Sequence, residues 1–163
     1  VHTLDTAVIA HCLGLLRNRR FGGSCDVNRL VLLALYHDCS EILTGDMPTP
    51  IKYYNPEIND AYKKVEAVAN EKLVSMLPED LRGDYRPLLC HENEDPELLR
   101  LLKAADKLSA LVKCIEEENA GNREFSKAKQ STLRAIEEMR LPEADAFVAE
   151  FLPSYGLTVD ELN

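Results

Sequence analysis

Leu30-Val31-Leu32-Leu33-Ala34-Leu35-Tyr36-His37-Asp38-Cys39-Ser40-Glu41 is the stretch on which the reading of this chain turns. An unbroken apolar run leads into an imidazole, a carboxylate and, three residues on, a second carboxylate. The run predicts a buried helix, with Asp26 as its N-cap and Gly45 as its stop. On one continuous helix turning ~100° per residue, His37, Asp38 and Glu41 fall within a ~100° arc and face one point. A neutral imidazole with carboxylate oxygens is a ligand set for a divalent cation of intermediate softness. A further carboxylate beside such an ion stands where a general acid or base is needed.

The period stays helical on both sides of this stretch, and no run alternates as a strand would. Leu4, Val8, Ile9, Cys12, Leu15 and Leu16 mark a first helix that Gly22-Gly23 closes. Downstream, in Thr44-Gly45-Asp46-Met47-Pro48-Thr49-Pro50, the two prolines predict a stiff extended loop. Asn55-Pro56 reads as N-cap and first residue of a helix over residues 56–76, with the stripe Ile58, Ala61, Tyr62, Val65, Ala69, Leu73 and Met76. Residues 81–90 carry no clear element. Asp95-Pro96 opens a long helix to Asn119, closed by Gly121, and two more follow over residues 123–140 and 142–152. Thr158-Val159-Asp160-Glu161 has the form of a capping box. The expected fold class is all-α: one domain over residues 1–163, a bundle of six or seven helices.

Composition narrows the function. With 163 residues, 45% of them hydrophobic, the chain is long enough for a real core. Its longest apolar run, Leu30 to Tyr36, is far too short to span a membrane. A net charge of −9 provides no basic field for a nucleic-acid polymer. A small phosphorylated substrate stays open, because a metal ion and a few cations reverse the sign locally. Five cysteines without C-x-x-C spacing read as reduced thiols of a cytoplasmic protein. The chain begins at Val1 with neither an initiator Met nor a secretory signal, as a fragment would.

Other residues bear on the site, each with a plainer reading beside the functional one. Asp106 lies deep in the long helix, next to the apolar stripe Leu98, Leu102, Ala105, Ser109 and Val112. A carboxylate there must be solvated, paired with a lysine such as Lys103, or bound to a metal. His2 stands at the start of the first helix, where a terminal residue frays, and His11, half a turn away around the helix, faces elsewhere. His91 falls in the polar segment Cys90-His91-Glu92-Asn93-Glu94-Asp95 and reads as a surface residue or a second metal ligand. Asp46, after Gly45, either caps its own turn or meets a substrate hydroxyl. Lys52 either meets a phosphate or points into water. With no Gly-rich phosphate cradle and no nucleophile elbow, covalent catalysis is disfavoured.

Taken in order, His2, His37-Asp38 and Asp106 on separate helices resemble the H…HD…D pattern of the HD-domain metal-dependent phosphohydrolases. The block His37-Asp38-Cys39-Ser40-Glu41-Ile42-Leu43-Thr44-Gly45-Asp46-Met47-Pro48-Thr49-Pro50-Ile51-Lys52 narrows the resemblance to the bacterial HD-domain 5′-deoxynucleotidases. Similarity continues through Lys103-Ala104-Ala105-Asp106 and Cys114-Ile115-Glu116-Glu117 to Phe151-Leu152-Pro153-Ser154. The resemblance implies one divalent metal held by His2, His37, Asp38 and Asp106, with Glu41 assisting proton transfer and Asp46 contacting the nucleotide. Two His and two Asp suit Mn, Fe, Co or Zn. The implied reaction removes the 5′-phosphate of deoxyribonucleoside monophosphates in a cytoplasmic homodimer. Another nucleotide substrate, such as a triphosphate or a signalling nucleotide, or a metal-containing binding module without activity, are the rival readings. That family carries an Arg-Trp pair upstream of its first ligand helix, and this sequence contains no Trp.

Overall fold

The computed structural model describes residues 1–162, and among them the regular structure is entirely helical. Seven helices have nine residues or more: α1 (His2–Arg20), α2 (Val27–Tyr36), α5 (Pro56–Met76), α6 (Glu79–Leu89), α7 (Pro96–Asn119), α8 (Ser126–Glu138) and α9 (Pro142–Glu150). Two single-turn helices, α3 (Glu41–Thr44) and α4 (Thr49–Lys52), and three short 3-10 segments bring the number above the expected six or seven. None of these helices is long and apolar enough to cross a membrane. The chain divides into two compact units, one formed by Val1–Ala34 with the chain from Asp95 onward, the other by Leu35–Glu94.

In the first unit α7 is the central element, with α1, α8, α9 and the 3-10 segment Leu152–Gly156 packed against it. Asp95 caps its N-terminus by accepting from the Glu97 N–H at 2.9 Å, and Pro96 occupies the first turn, where its missing N–H costs nothing. Gly121, at φ +90°, turns the chain after the last helical residue. Leu13, Leu30, Leu33, Leu101, Leu108, Leu111, Ile136 and Leu141 are fully buried here. Each contributes about 1.5–3 kcal/mol of burial free energy.

The packed face of α1 keeps Ile9 and Leu16 of the predicted stripe and otherwise departs from it. Leu4, Val8 and Leu15 are exposed, while Thr6, Ala7, Ala10, Leu13 and Gly14 are buried. Small residues let neighbouring helices approach closely: a Cβ at Gly14 would stand 3.1 Å from Val27 Cγ2 and 3.3 Å from Leu30 Cδ2. Arg17, further along the same helix, donates to Glu143 at 2.8 Å and to Glu97 at 3.0 Å, joining α1 to α9 and α7.

In the second unit α5 carries α3, α4 and α6. Its start is as expected: Asn55 Oδ1 accepts from the Ile58 N–H at 2.8 Å, and Pro56 is the first helical residue. The Pro48–Pro50 segment is not an extended loop. Pro48 is the N-cap of α4 and Pro50 lies in its first turn, so neither removes a hydrogen bond that the helix would make. Most of residues 81–90 also belong to a helix, α6, despite Gly83 and Pro87 within it. Arg82 ties it to the end of α5 by donating to the carbonyls of Leu77 and Ser75, each at 2.9 Å.

The helix expected to run from Asp26 to Gly45 is broken. Asp26 does cap it, accepting from the Arg29 N–H at 3.0 Å, and Gly45 does end α3 at φ +70°. Between them, residues 37–40 form turns tied by i to i+3 bonds, Cys39 N–H to Tyr36 O (3.2 Å) and Glu41 N–H to Asp38 O (3.0 Å). His37 and Asp38 therefore stand on a turn, and Glu41 opens a new helix.

Candidate metal centre and catalytic residues

In the first unit, α1 and α7 bring His2 and Asp106 together. The two are 104 positions apart in sequence, yet His2 Nε2 stands 2.7 Å from Asp106 Oδ1. Ser109, one turn along α7 from Asp106 and buried at 4% exposure, holds the other side of the ring, its Oγ 3.0 Å from His2 Nδ1. Asp106 thus has the imidazole of His2 beside it. Nothing in the sequence pattern singled out Ser109, which sits in the apolar stripe of α7. The available signal was a hydroxyl three residues after Asp106, hence on the same helix face.

In the second unit the His37-Asp38 turn pairs its own side chains, His37 Nε2 standing 3.1 Å from Asp38 Oδ2. Tyr36, just before it, is anchored edge-on to the Tyr85 ring at 5.8 Å between centroids. Glu41 follows at the first position of α3. Burial, then the carboxylates of Asp38 and Asp46, raise its pKa above the ordinary value, against the opposing pull of Lys52 and His37. A carboxyl group in such surroundings holds a proton more readily than a solvated one.

Asp46, next to Gly45, is exposed. Lys52 does not point into open water: its Nζ lies 3.3 Å from Glu66 Oε1 and 4.5 Å from the centre of the Tyr62 ring. Burial opposes its charge, but Glu66 and the tyrosines outweigh it and raise the ammonium pKa. Glu66 and Tyr62, both on α5, were not anticipated as its partners.

The remaining histidines lie elsewhere. His11 is on the exposed side of α1, and His91 Nε2 lies 2.9 Å from the Leu88 carbonyl oxygen at the end of α6. All five cysteines are free thiols, as expected.

The donor chemistry fits a divalent ion. In each unit a ring nitrogen and a carboxylate oxygen converge to about the separation of two donors sharing one ion, roughly 3 Å for bonds of ~2.0–2.2 Å. The Ser109 hydroxyl on the second nitrogen of His2 is the outer contact that metal-ligating imidazoles usually have.

Comparison with known proteins places this chemistry. Residues 1–155 match the family described as 5′-deoxynucleotidase YfbR-like. A 5′-deoxynucleotidase of Vibrio vulnificus (strain YJ016) is 47% identical over 162 residues, covering 99% of this chain and 84% of the relative. A 5′-deoxynucleotidase of Yersinia pestis (strain Pestoides F) is also 47% identical, over 99% of this chain and 82% of its own. Among solved structures, an HD-domain phosphohydrolase from Listeria innocua superposes with a TM-score of 0.82 at 28% identity, covering 94% of this chain and 74% of that one. A Pyrococcus horikoshii OT3 protein shares the fold at a TM-score of 0.66. On the profile match, the near-complete coverage by these relatives and the all-helical HD-domain fold, this chain belongs to the YfbR-like 5′-deoxynucleotidase family of HD-domain phosphohydrolases.

Proposed function

We propose that this enzyme hydrolyses the 5′-phosphate of deoxyribonucleoside 5′-monophosphates, releasing the deoxynucleoside and inorganic phosphate, with one divalent metal held by His2, His37, Asp38 and Asp106. The observation that carries this reading is the imidazole–carboxylate convergence found in each unit, His2 with Asp106 and His37 with Asp38. The curated relatives named 5′-deoxynucleotidase supply the substrate class.

When bound, such an ion withdraws charge from the phosphoryl group and lowers the pKa of water beside it. Glu41, at the start of α3 just after the His37-Asp38 turn, supplies the proton that the departing 5′-oxygen needs. Asp46 accepts a hydrogen bond from a sugar hydroxyl. Lys52, braced by Glu66 and Tyr62, offers its ammonium to a phosphate oxygen. Water adds its oxygen to phosphorus as the bond from phosphorus to the 5′-oxygen breaks; the proton from Glu41 ends on the nucleoside, and of the water's two protons one stays on the phosphate and the other returns to Glu41.

The protein works in the cytoplasm as a homodimer. Free thiols support the compartment, and the exposed Leu4, Val8 and Leu15 along one side of α1 support the self-association. The test of the metal-dependent reaction is phosphate release from a deoxyribonucleoside monophosphate before chelation, after chelation and after return of Mn, Co, Zn or Fe. Release should vanish with the metal and return with at least one of the four. Undiminished release from protein shown by elemental analysis to be metal-free would refute the reading.

A further inference from the structure

The geometry points to Ser109 as the positioning residue that sets which nitrogen of His2 is free for the metal, an inference that rests on His2 and Asp106 being ligands. Three facts carry it. Ser109 Oγ is 3.0 Å from His2 Nδ1, Asp106 Oδ1 is 2.7 Å from His2 Nε2, and Ser109 is buried while the side chains of His2 and Asp106 are partly open to solvent.

The two contacts make opposite demands on the ring. An ionised carboxylate only accepts hydrogen bonds, so beside Asp106 a neutral His2 carries its proton on Nε2 and leaves Nδ1 as an acceptor. A metal taking Nε2 needs the other tautomer, with the proton on Nδ1 acting as donor. The neutral ring holds one proton in both states: one leaves Nε2 for water and one arrives at Nδ1 from water. A partner that keeps its bond through this change must be able both to donate and to accept. A hydroxyl does so by rotation, donating to Nδ1 in the first state and accepting from it in the second. In the second state a helical serine can turn its own proton to the carbonyl four residues back. A lysine could only donate and a carboxylate could only accept, and each would favour one state at the expense of the other.

His2 is the second residue of this chain and the first of α1, and its side chain is 44% exposed. The Ser109 hydroxyl holds the ring from its Nδ1 side, opposite Asp106. Thr6 does not substitute for it, because its Oγ1 donates to the main-chain oxygen of His2 at 2.8 Å and leaves the ring alone.

The experiment uses the full chain with zinc as a diamagnetic probe, comparing the parent with Ser109→Ala, Ser109→Thr and His2→Ala. Zinc affinity is measured by competition with a chelator, and the His2 tautomer by ¹⁵N shifts of histidine-labelled protein, metal-free and zinc-loaded. Ser109→Ala should bind zinc about 10–100-fold more weakly, with Ser109→Thr, which keeps the hydroxyl, close to the parent. The parent ring should change from Nε2–H to Nδ1–H on zinc binding, and zinc-loaded Ser109→Ala, with Nδ1 no longer occupied by the hydroxyl, should show a mixture of Nε2-bound and Nδ1-bound rings. Parent affinity in Ser109→Ala, a loss that Ser109→Thr does not restore, or unaltered His2 shifts in Ser109→Ala would each overturn the positioning role. Failure of the underlying ligand reading shows separately, as parent zinc affinity in His2→Ala.

Discussion

At the scale of single residues, the account depends most on Glu41. Its carboxyl is raised in pKa by burial and by two neighbouring carboxylates, so the folded protein binds that proton more tightly than the unfolded chain does. The stability this group contributes is complete below the unfolded value and lost as pH rises through the folded one. At pH 7 its charge is therefore a burden on the fold. Glu41→Gln should raise the urea midpoint of the metal-free protein at pH 7 and lose that advantage toward pH 4. The same substitution should reduce turnover about 10²–10⁴-fold while leaving metal content unchanged. A proton donor also gives turnover that falls as pH rises through its pKa, so the parent's pH–rate profile should decline on its alkaline side. Parent-level turnover in Glu41→Gln would make this residue a bystander, and loss of metal would make it a ligand. The sequence singled out His37, Asp38, Glu41 and Asp106 because they are polar residues set against apolar helices. It did not single out Ser109, since a serine in a helical stripe is ordinary until the ring of a residue 107 positions away is found against it.

At the scale of elements, the long helices were readable because their ends carry chemistry. Asn55-Pro56, Asp95-Pro96 and Gly121 all act as expected, and α5 and α7 have the predicted bounds. The misreadings at α4 and α6 share a cause, which is that proline and glycine were taken as breakers without regard to position within a turn. Pro48 and Pro50 serve the first turn of α4, and α6 tolerates Gly83 and Pro87 with Arg82 and a pair between Arg86 and Glu71 holding it to α5. The turn after α2 was hidden for a different reason: periodicity continues through i to i+3 bonds, so the break leaves no compositional mark. Tertiary pairing at this scale is testable at Arg17. Its side chain is 14% exposed and that of Glu143 3%, so removing the guanidinium strands a buried charge. Arg17→Met should cost about 3–5 kcal/mol in urea unfolding at pH 7. Arg20→Met, which cuts an exposed pair with Glu150, should leave the midpoint close to that of the parent. Equal effects would mean that Arg17 is as well solvated as Arg20.

At the scale of the whole molecule, an acidic chain of net charge −9 handles a phosphorylated substrate only where cations are concentrated. In the proposed function, Lys52 and the metal provide that concentration. A ligand that binds only the folded state stabilises it, so a metal at 100 times its dissociation constant should add about 2.7 kcal/mol to unfolding. That increment should disappear in Asp106→Ala and in His37→Ala, as read by thermal unfolding with and without metal. Retention of the increment in either variant would remove that residue from the ligand set. The central claim is the reaction itself, and ³¹P NMR of the metal-loaded protein with a deoxyribonucleoside monophosphate and a deoxyribonucleoside triphosphate together tests it most directly. The account predicts growth of the inorganic phosphate signal at the expense of the monophosphate, with the triphosphate resonances intact. Conversion of the triphosphate while the monophosphate persists, or no phosphate with any of Mn, Co, Zn or Fe, would contradict it.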